Sequence, residues 1–234
     1  MRWNHLAAAA GIGYVLLAFV EFFGPSFPQT SDPARVLDAY FVAHRPWSLV
    51  AVAVQGVANS IWIVFLCGLV LLLRRAGSVA AATVALVGGA LNVAISLTGL
   101  ASIAAIAFRI AGSGSPDLTR AFFELSAMTL VLSNFLLALM AAAVAVAAAS
   151  RWFASASAVA SAVFLIGGAA LARHGVLSPD GAVQFATYGI ELLWTLAASI
   201  VVARARTKDV NTHALFPSGS IRADSSLPAV ETIP

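Results

Sequence analysis

Glu191 is the residue in this chain best placed to do unusual chemistry, because it is the only charged side chain in the apolar run from 182 to 203. An ionised carboxylate at the centre of a bilayer costs about 3 kcal/mol on insertion scales. Such a group is held protonated, solvated in a cavity or hydrogen-bonded by amides, and each state serves proton coupling or cation binding. Gln184, Tyr188, Glu191 and Thr195 recur at intervals of four, three and four, which makes a polar stripe on one helical face that should point into a bundle. Gln55 and Asn59 share a face in the same way, as do Asn92 and Ser96, although Gly99 ends that row. Asn59, Asn92, Asn134 and Glu191 each fall about halfway along an apolar run, and Tyr14 lies near the middle of another. Transporter sites tend to form at that shared depth. The candidate solute- or proton-binding residues are therefore Glu191, Tyr188, Asn59, Gln55, Asn92 and Asn134. For each asparagine alone, hydrogen bonding between helices is the plainer use.

Other chemistries find no residues to run on. Cys67, the single cysteine, sits in an apolar run, so neither a disulfide framework nor a CxxC redox pair is available. Retinal binding needs a lysine within a span, and the only lysine is Lys208. His5, His44, His174 and His213 all lie at ends or loops, not where paired haem ligands would stand. There is no GxSxG, HExxH or Walker loop, so the chain reads as a non-enzyme without cofactors. Glu21, His44, Glu124 and His174 fall on one side but lack metal-ligand spacing, and no metal is expected. Arg120 and Glu124 are spaced for an exposed i,i+4 ion pair.

The elements that must position these residues follow from composition. The 234 residues are 61% hydrophobic and 10% charged, and the mean hydropathy is +0.94. A soluble domain carries about 25% charged residues, so a soluble globular fold is excluded. Charges divide the chain into six apolar stretches, near 4–24, 47–73, 78–108, 121–149, 152–173 and 182–203. Each has about the 20 residues that a membrane span needs. The expected fold is an all-α, six-span transmembrane bundle over residues 1–205. The third stretch is longer than a bilayer is thick and must tilt or project. No small-residue cleavage site follows in Phe19-Val-Glu-Phe-Phe-Gly-Pro, so the first stretch reads as a retained span.

With six spans both termini share a side. Arg2, Arg74, Arg75, Arg151, Arg204, Arg206, Lys208 and Arg222 gather on it; Arg35, Arg45, Arg109, Arg120 and Arg173 gather opposite. The positive-inside rule makes the first side cytoplasmic, in a plasma or inner membrane. The net charge of +3 is scattered over span ends instead of forming a stripe, which argues against nucleic acid as a partner. The bilayer is the expected partner, with a small solute or another membrane protein beside it.

Ser31-Asp32-Pro33 is a helix start signal with an N-cap candidate before the proline. The segment 33–44 then puts Val36, Leu37, Tyr40 and Phe41 on one face and Asp32, Arg35 and Asp38 away from it, as an outer interfacial helix would. Trp47 suits an interfacial aromatic belt. Residues 206–234 are polar and rich in Ser and Pro, and predict a disordered cytoplasmic tail. Ser78 to Ala90 matches Ser157 to Ala169 at several positions including Gly88-Gly89 and Gly167-Gly168. The match reads either as a duplicated hairpin or as a coincidence of Ala/Val-rich sequence, and the glycine pairs serve close helix approach in both cases.

The Arg2-led first span with Gly11-Ile-Gly-Tyr14, the helix 33–44, the Leu71-Leu-Leu-Arg-Arg75 exit of span two and the long third span resemble a family of uncharacterised bacterial six-helix membrane proteins. The resemblance covers most of residues 1–205 and implies the fold without an activity. The leading functional expectation is binding or transport of a small polar or cationic solute, or a proton, at a midplane polar layer. The alternatives are a non-transporting scaffold with the polar residues as helix glue, or a subunit of a larger complex docking through small residues such as Ala7-x-x-x-Gly11.

Overall fold

A computed structural model describes residues 3–172 and 174–205. The expected tail 206–234, and the topology signals Arg2 and Arg173, lie outside the described residues. Those residues form seven α-helices and no strands: α1 (Trp3–Ala18), α2 (Ala34–Ala43), α3 (Arg45–Arg75), α4 (Val79–Ala105), α5 (Pro116–Ala147), α6 (Arg151–Gly168) and α7 (Ala182–Arg204). A 3-10 turn, Phe19–Phe23, follows α1, and a π turn, Ile106–Ile110, ends α4. Five of the helices, α3 to α7, are long and apolar enough to cross a membrane; α1, at 16 residues, is shorter.

The longer helices pack in a ring in chain order, α1 on α3, α3 on α4, and so on until α7 returns to α1. The ring surrounds one core that includes Trp62, Phe65 and Leu66 of α3, Met140 of α5, Phe164 of α6 and Trp194 of α7. Its outer face is apolar too: Leu16, Val159 and Leu193 are each more than 60% exposed. That pattern suits a hydrocarbon solvent, since a soluble surface would put charge there.

Small residues set the interhelical distances. Gly11 of α1 lies against Ser199 of α7 and Phe65 of α3, and Gly68 of α3 lies against Ala7 of α1. The Ala7-x-x-x-Gly11 face, which the subunit alternative would use to dock a partner, is therefore buried inside the chain, closing α1 onto α3 and α7. The two glycine pairs work alike. Gly88 backs on the Leu136 carbonyl of α5 and Gly168 on the Phe135 ring of the same helix, so α5 is approached closely from both sides.

Several boundaries differ from the sequence reading. The helix expected over 152–173 ends at Gly168, because two adjacent glycines are weak helix formers and the chain turns there. The helix expected from 121 begins at Pro116, where proline at the first position suits a helix start. The excess length of the third stretch becomes the π turn, whose wider bond runs from the Ala111 N–H to the Ile106 carbonyl. Ile106 and Ala107 then pack with Leu37 and Phe41 of α2 and Phe123 of α5 in a second, smaller core.

α2 itself corrects two expectations. Asp32 accepts a hydrogen bond from the Gln29 N–H at 2.9 Å and leaves the N-cap position to Pro33. Asp38 points away from the apolar face and is half-buried; it accepts from the Thr119 hydroxyl at 2.7 Å and from the Gly112 N–H at 3.2 Å, tying α2 to the α4–α5 connection. Gly112 has φ +78°, a conformation that suits glycine and turns its N–H toward that carboxylate. Val36, placed on the buried face by periodicity, is 49% exposed, and Leu37 and Phe41 carry the packing. Arg120 and Glu124 do form the expected exposed ion pair, at 2.8 Å.

Two glycine substitutions separate close packing from propensity. Gly11→Val should destabilise the protein by about 1–3 kcal/mol through overpacking at the α1–α3–α7 junction. Gly56→Ala, where an added Cβ meets nothing within 4 Å, should stabilise by about 1 kcal/mol from helix propensity alone. Thermal unfolding in detergent followed by circular dichroism reads both signs.

Candidate functional site

A cavity of about 580 Å³ lies inside the ring between α1, α3, α4, α5 and α7. Five of the six residues singled out from sequence line it: Gln55 and Asn59 from α3, Asn92 from α4, and Tyr188 and Glu191 from α7. The sixth, Asn134, does not. It is buried where α5 meets α6, and its amide would touch a Cβ placed on Gly167. Asn59 directs its side-chain N–H back to the Gln55 carbonyl of its own helix at 2.9 Å. Its presence at the wall thus adds less polarity than its residue type suggests.

Glu191 is 9% exposed and its Oε1 accepts a 2.7 Å hydrogen bond from the Tyr14 hydroxyl of α1. The α7 stripe expected to face inward does so: Gln184, Glu191 and Thr195 are buried and Tyr188 is half-buried. Glu191 lies about 14 Å along α7 from Ala182, taking 1.5 Å per residue. The carboxyl is therefore deep within the ring, while Gln184 lines the same cavity about two turns nearer its end.

Sequence reasoning overlooked part of the wall. Ser126, Thr129 and Ser133 of α5 line the cavity, and their spacing of three and four was a usable signal. Thr129 and Ser133 hydrogen-bond carbonyls of their own helix, at 2.7 and 2.8 Å, which is why such residues pass unnoticed in apolar helices. Trp62 lines the cavity as well, with its ring 6.3 Å from that of Tyr14. Nothing in its local sequence distinguishes it from a core residue.

The end of the cavity is formed by the segment 24–30, Gly-Pro-Ser-Phe-Pro-Gln-Thr, which joins the 3-10 turn to α2. This strap has no helical periodicity and is held by three outside contacts. Tyr40 of α2 donates to the Pro25 carbonyl at 3.1 Å, and burial pushes the Tyr40 phenol up, so it remains a donor. Gly24 packs against the Trp47 indole, which gives that tryptophan a partner within the protein. Thr30 donates its N–H at 2.6 Å and its hydroxyl at 3.2 Å to Asp180, in the α6–α7 connection. Asp180 also lines the cavity.

Burial opposes the charged form of Asp180, but hydrogen bonds from Ser178 and Thr30 outweigh it and hold the carboxyl below its ordinary 3.8. A carboxyl whose pKa is lowered by folding stabilises the fold fully above its unfolded value and loses that contribution as pH falls through the folded one. The Thr30 amide should therefore exchange slowly, after correction for intrinsic rate, from neutral pH down to about 4. Exchange should accelerate below that, and Asp180→Asn should abolish the step; hydrogen exchange read by mass spectrometry on the 24–32 peptide checks this. In comparisons with family models, curated proteins and solved structures, the chain matches none.

Proposed function

We propose that the chain is a six-span integral membrane protein whose cavity takes up a small polar or cationic solute from the outer side, with Glu191 as its principal binding group. The observation that carries this reading is the cavity itself: about 580 Å³, with a buried carboxyl well inside it and a strap of loop at one end. Ligand pockets run from about 300 to 1,000 Å³ and combine apolar walls with a few polar groups. Gln55, Asn92, Gln184, Tyr188 and Glu191 supply those groups here.

The sixth crossing is α1 continued by its 3-10 turn. At about 1.5 Å and 2 Å per residue the two together reach roughly 34 Å, enough for a hydrocarbon core of about 30 Å. Arg74 and Arg75 end α3, Arg151 begins α6 and Arg204 ends α7, and by the positive-inside rule this clustering supports a cytoplasmic side at that end of the ring. Arg75 donates to the Asn4 side chain at 3.3 Å and Asn4 in turn donates to the Ala205 carbonyl at 2.9 Å, so the same end is tied together by short polar contacts. The strap and α2 then face outward. Binding or transport is the activity proposed.

Asn134 lies among α5, α6 and α7 away from the cavity, and its amide nitrogen is buried without a hydrogen-bond partner, so it serves neither the cavity nor a bond between helices. For the other five the solute reading predicts access to water. With Cys67 replaced by alanine, Ser96→Cys and Gln55→Cys should react with a charged, membrane-impermeant thiol reagent added outside. Val159→Cys, on the apolar outer face, should not. Equal protection of all three in intact cells, with reaction only after denaturation, would favour the scaffold reading.

A further inference from the structure

The charges and unpartnered atoms of the cavity wall restrict what can occupy it. Among the described residues that line it there is no Lys, Arg or His, whereas Glu191 and Asp180 both do. An anionic ligand would thus meet two carboxyl groups and no counter-charge. The neutral groups lean the same way. The side-chain oxygens Asn92 Oδ1 and Gln184 Oε1 are buried, on residues 5% and 6% exposed, and have no hydrogen-bond partner; the Trp62 indole N–H, a donor in the same wall, is the one unpartnered group among these lining residues that asks for an acceptor instead. Unsatisfied buried oxygens are met by a ligand that donates hydrogen bonds.

Size and wall chemistry separate an organic cation from a metal ion. A hard metal ion needs several oxygen ligands close together, and no group of three or more His, Cys, Asp or Glu is found among the described residues. The cavity is instead roomy and walled by Phe22, Phe27, Leu100, Phe123 and Leu130. Tyr14 hydrogen-bonds the Glu191 carboxyl and the Trp62 ring lies 6.3 Å from that of Tyr14 at 59°, so two electron-rich rings share the cavity wall with this inner acid. A cation over such faces gains cation–π attraction beyond its ion pair, more when desolvated.

We propose that the cavity binds a monovalent organic ammonium compound with an apolar body, its head paired with Glu191 beside the Tyr14 and Trp62 rings and its body against the phenylalanine and leucine wall. This rests on the solute-binding reading above and names the class of solute. One carboxyl at the inner end suits one positive charge, the unpartnered amide oxygens suit an N–H donor, and Asp180 beside the strap favours arrival of a cation.

A charge series on the wild-type protein tests this without relying on any variant to fold. Protein in nanodiscs, with empty nanodiscs subtracted, is titrated by calorimetry at pH 7 with 4-phenylbutylamine, 4-phenylbutanol and 4-phenylbutyrate, which share a body and differ in head charge. The amine should bind at least roughly tenfold tighter than the alcohol, the scale of a charge-assisted hydrogen bond, and the carboxylate should not bind. Glu191→Gln should bring the amine to the level of the alcohol. If alcohol and amine bind equally, or the carboxylate binds best, the ammonium assignment is wrong while a solute cavity stands. If none of the three exceeds empty nanodiscs, the ammonium assignment is again wrong, and cysteine accessibility alone then decides whether the cavity is open to solutes.

Discussion

A carboxyl group set among apolar helices must have a hydrogen-bond partner inside the protein, and the 2.7 Å bond from Tyr14 to Glu191 meets that need. It joins the first helix to the last, through residues 177 apart in sequence. Burying an unpaired polar group costs on the order of 1–3 kcal/mol, so the ring is favoured closed, with α7 returned to α1. Gly11 and Gly68 make the same closure sterically possible by letting α1 approach α3 and α7 at backbone distance. Polar pairing and small-residue packing thus act on one seam, and the cavity is what remains between the helices that the seam holds in register.

The two ends of the ring are built differently. At the end with Arg75 and Arg204, a few hydrogen bonds through Asn4 suffice to join helix termini. The opposite end carries almost all of the irregular chain: the strap, α2, the π turn and the α6–α7 connection. These parts are pinned to one another by Asp38, Arg45 and Asp180, each a charged side chain bound to backbone or hydroxyl groups of a distant segment. Arg45 donates to the Ala111 carbonyl at 2.9 Å, at the foot of the π turn. Charges that could have served only to mark topology are here also the fasteners of the cap.

How much of this could be read from the chain depends on whether a residue's surroundings repeat. The α7 stripe was legible because Gln184, Tyr188, Glu191 and Thr195 follow the helical period, and a stripe that long has only one face to point from. Asn92 was legible from depth and from Ser96 one turn away. Asn134 had depth but no periodic partner, and its direction was settled by the close approach of Gly167 in another helix. The strap was out of reach altogether: its conformation depends on Asp180, which is 150 residues from Thr30, and on Tyr40. The hydrogen bonds of Asp38 were out of reach for a related reason, since its partners Gly112 and Thr119 lie 74 and 81 residues away, where the α4–α5 connection folds beside α2.

The unequal lengths of neighbouring helices have a consequence for the lipid. α5 has 32 residues and α6 only 18, or about 48 Å against about 27 Å along their axes. Against a hydrocarbon core of about 30 Å, a helix of the length of α5 would tilt or project, while one of the length of α6 would suit a thinner bilayer. The protein therefore has a thick flank and a thin flank. In a bilayer, hydrophobic mismatch would then be felt unevenly around the ring, on the α6 flank more than on the α5 flank.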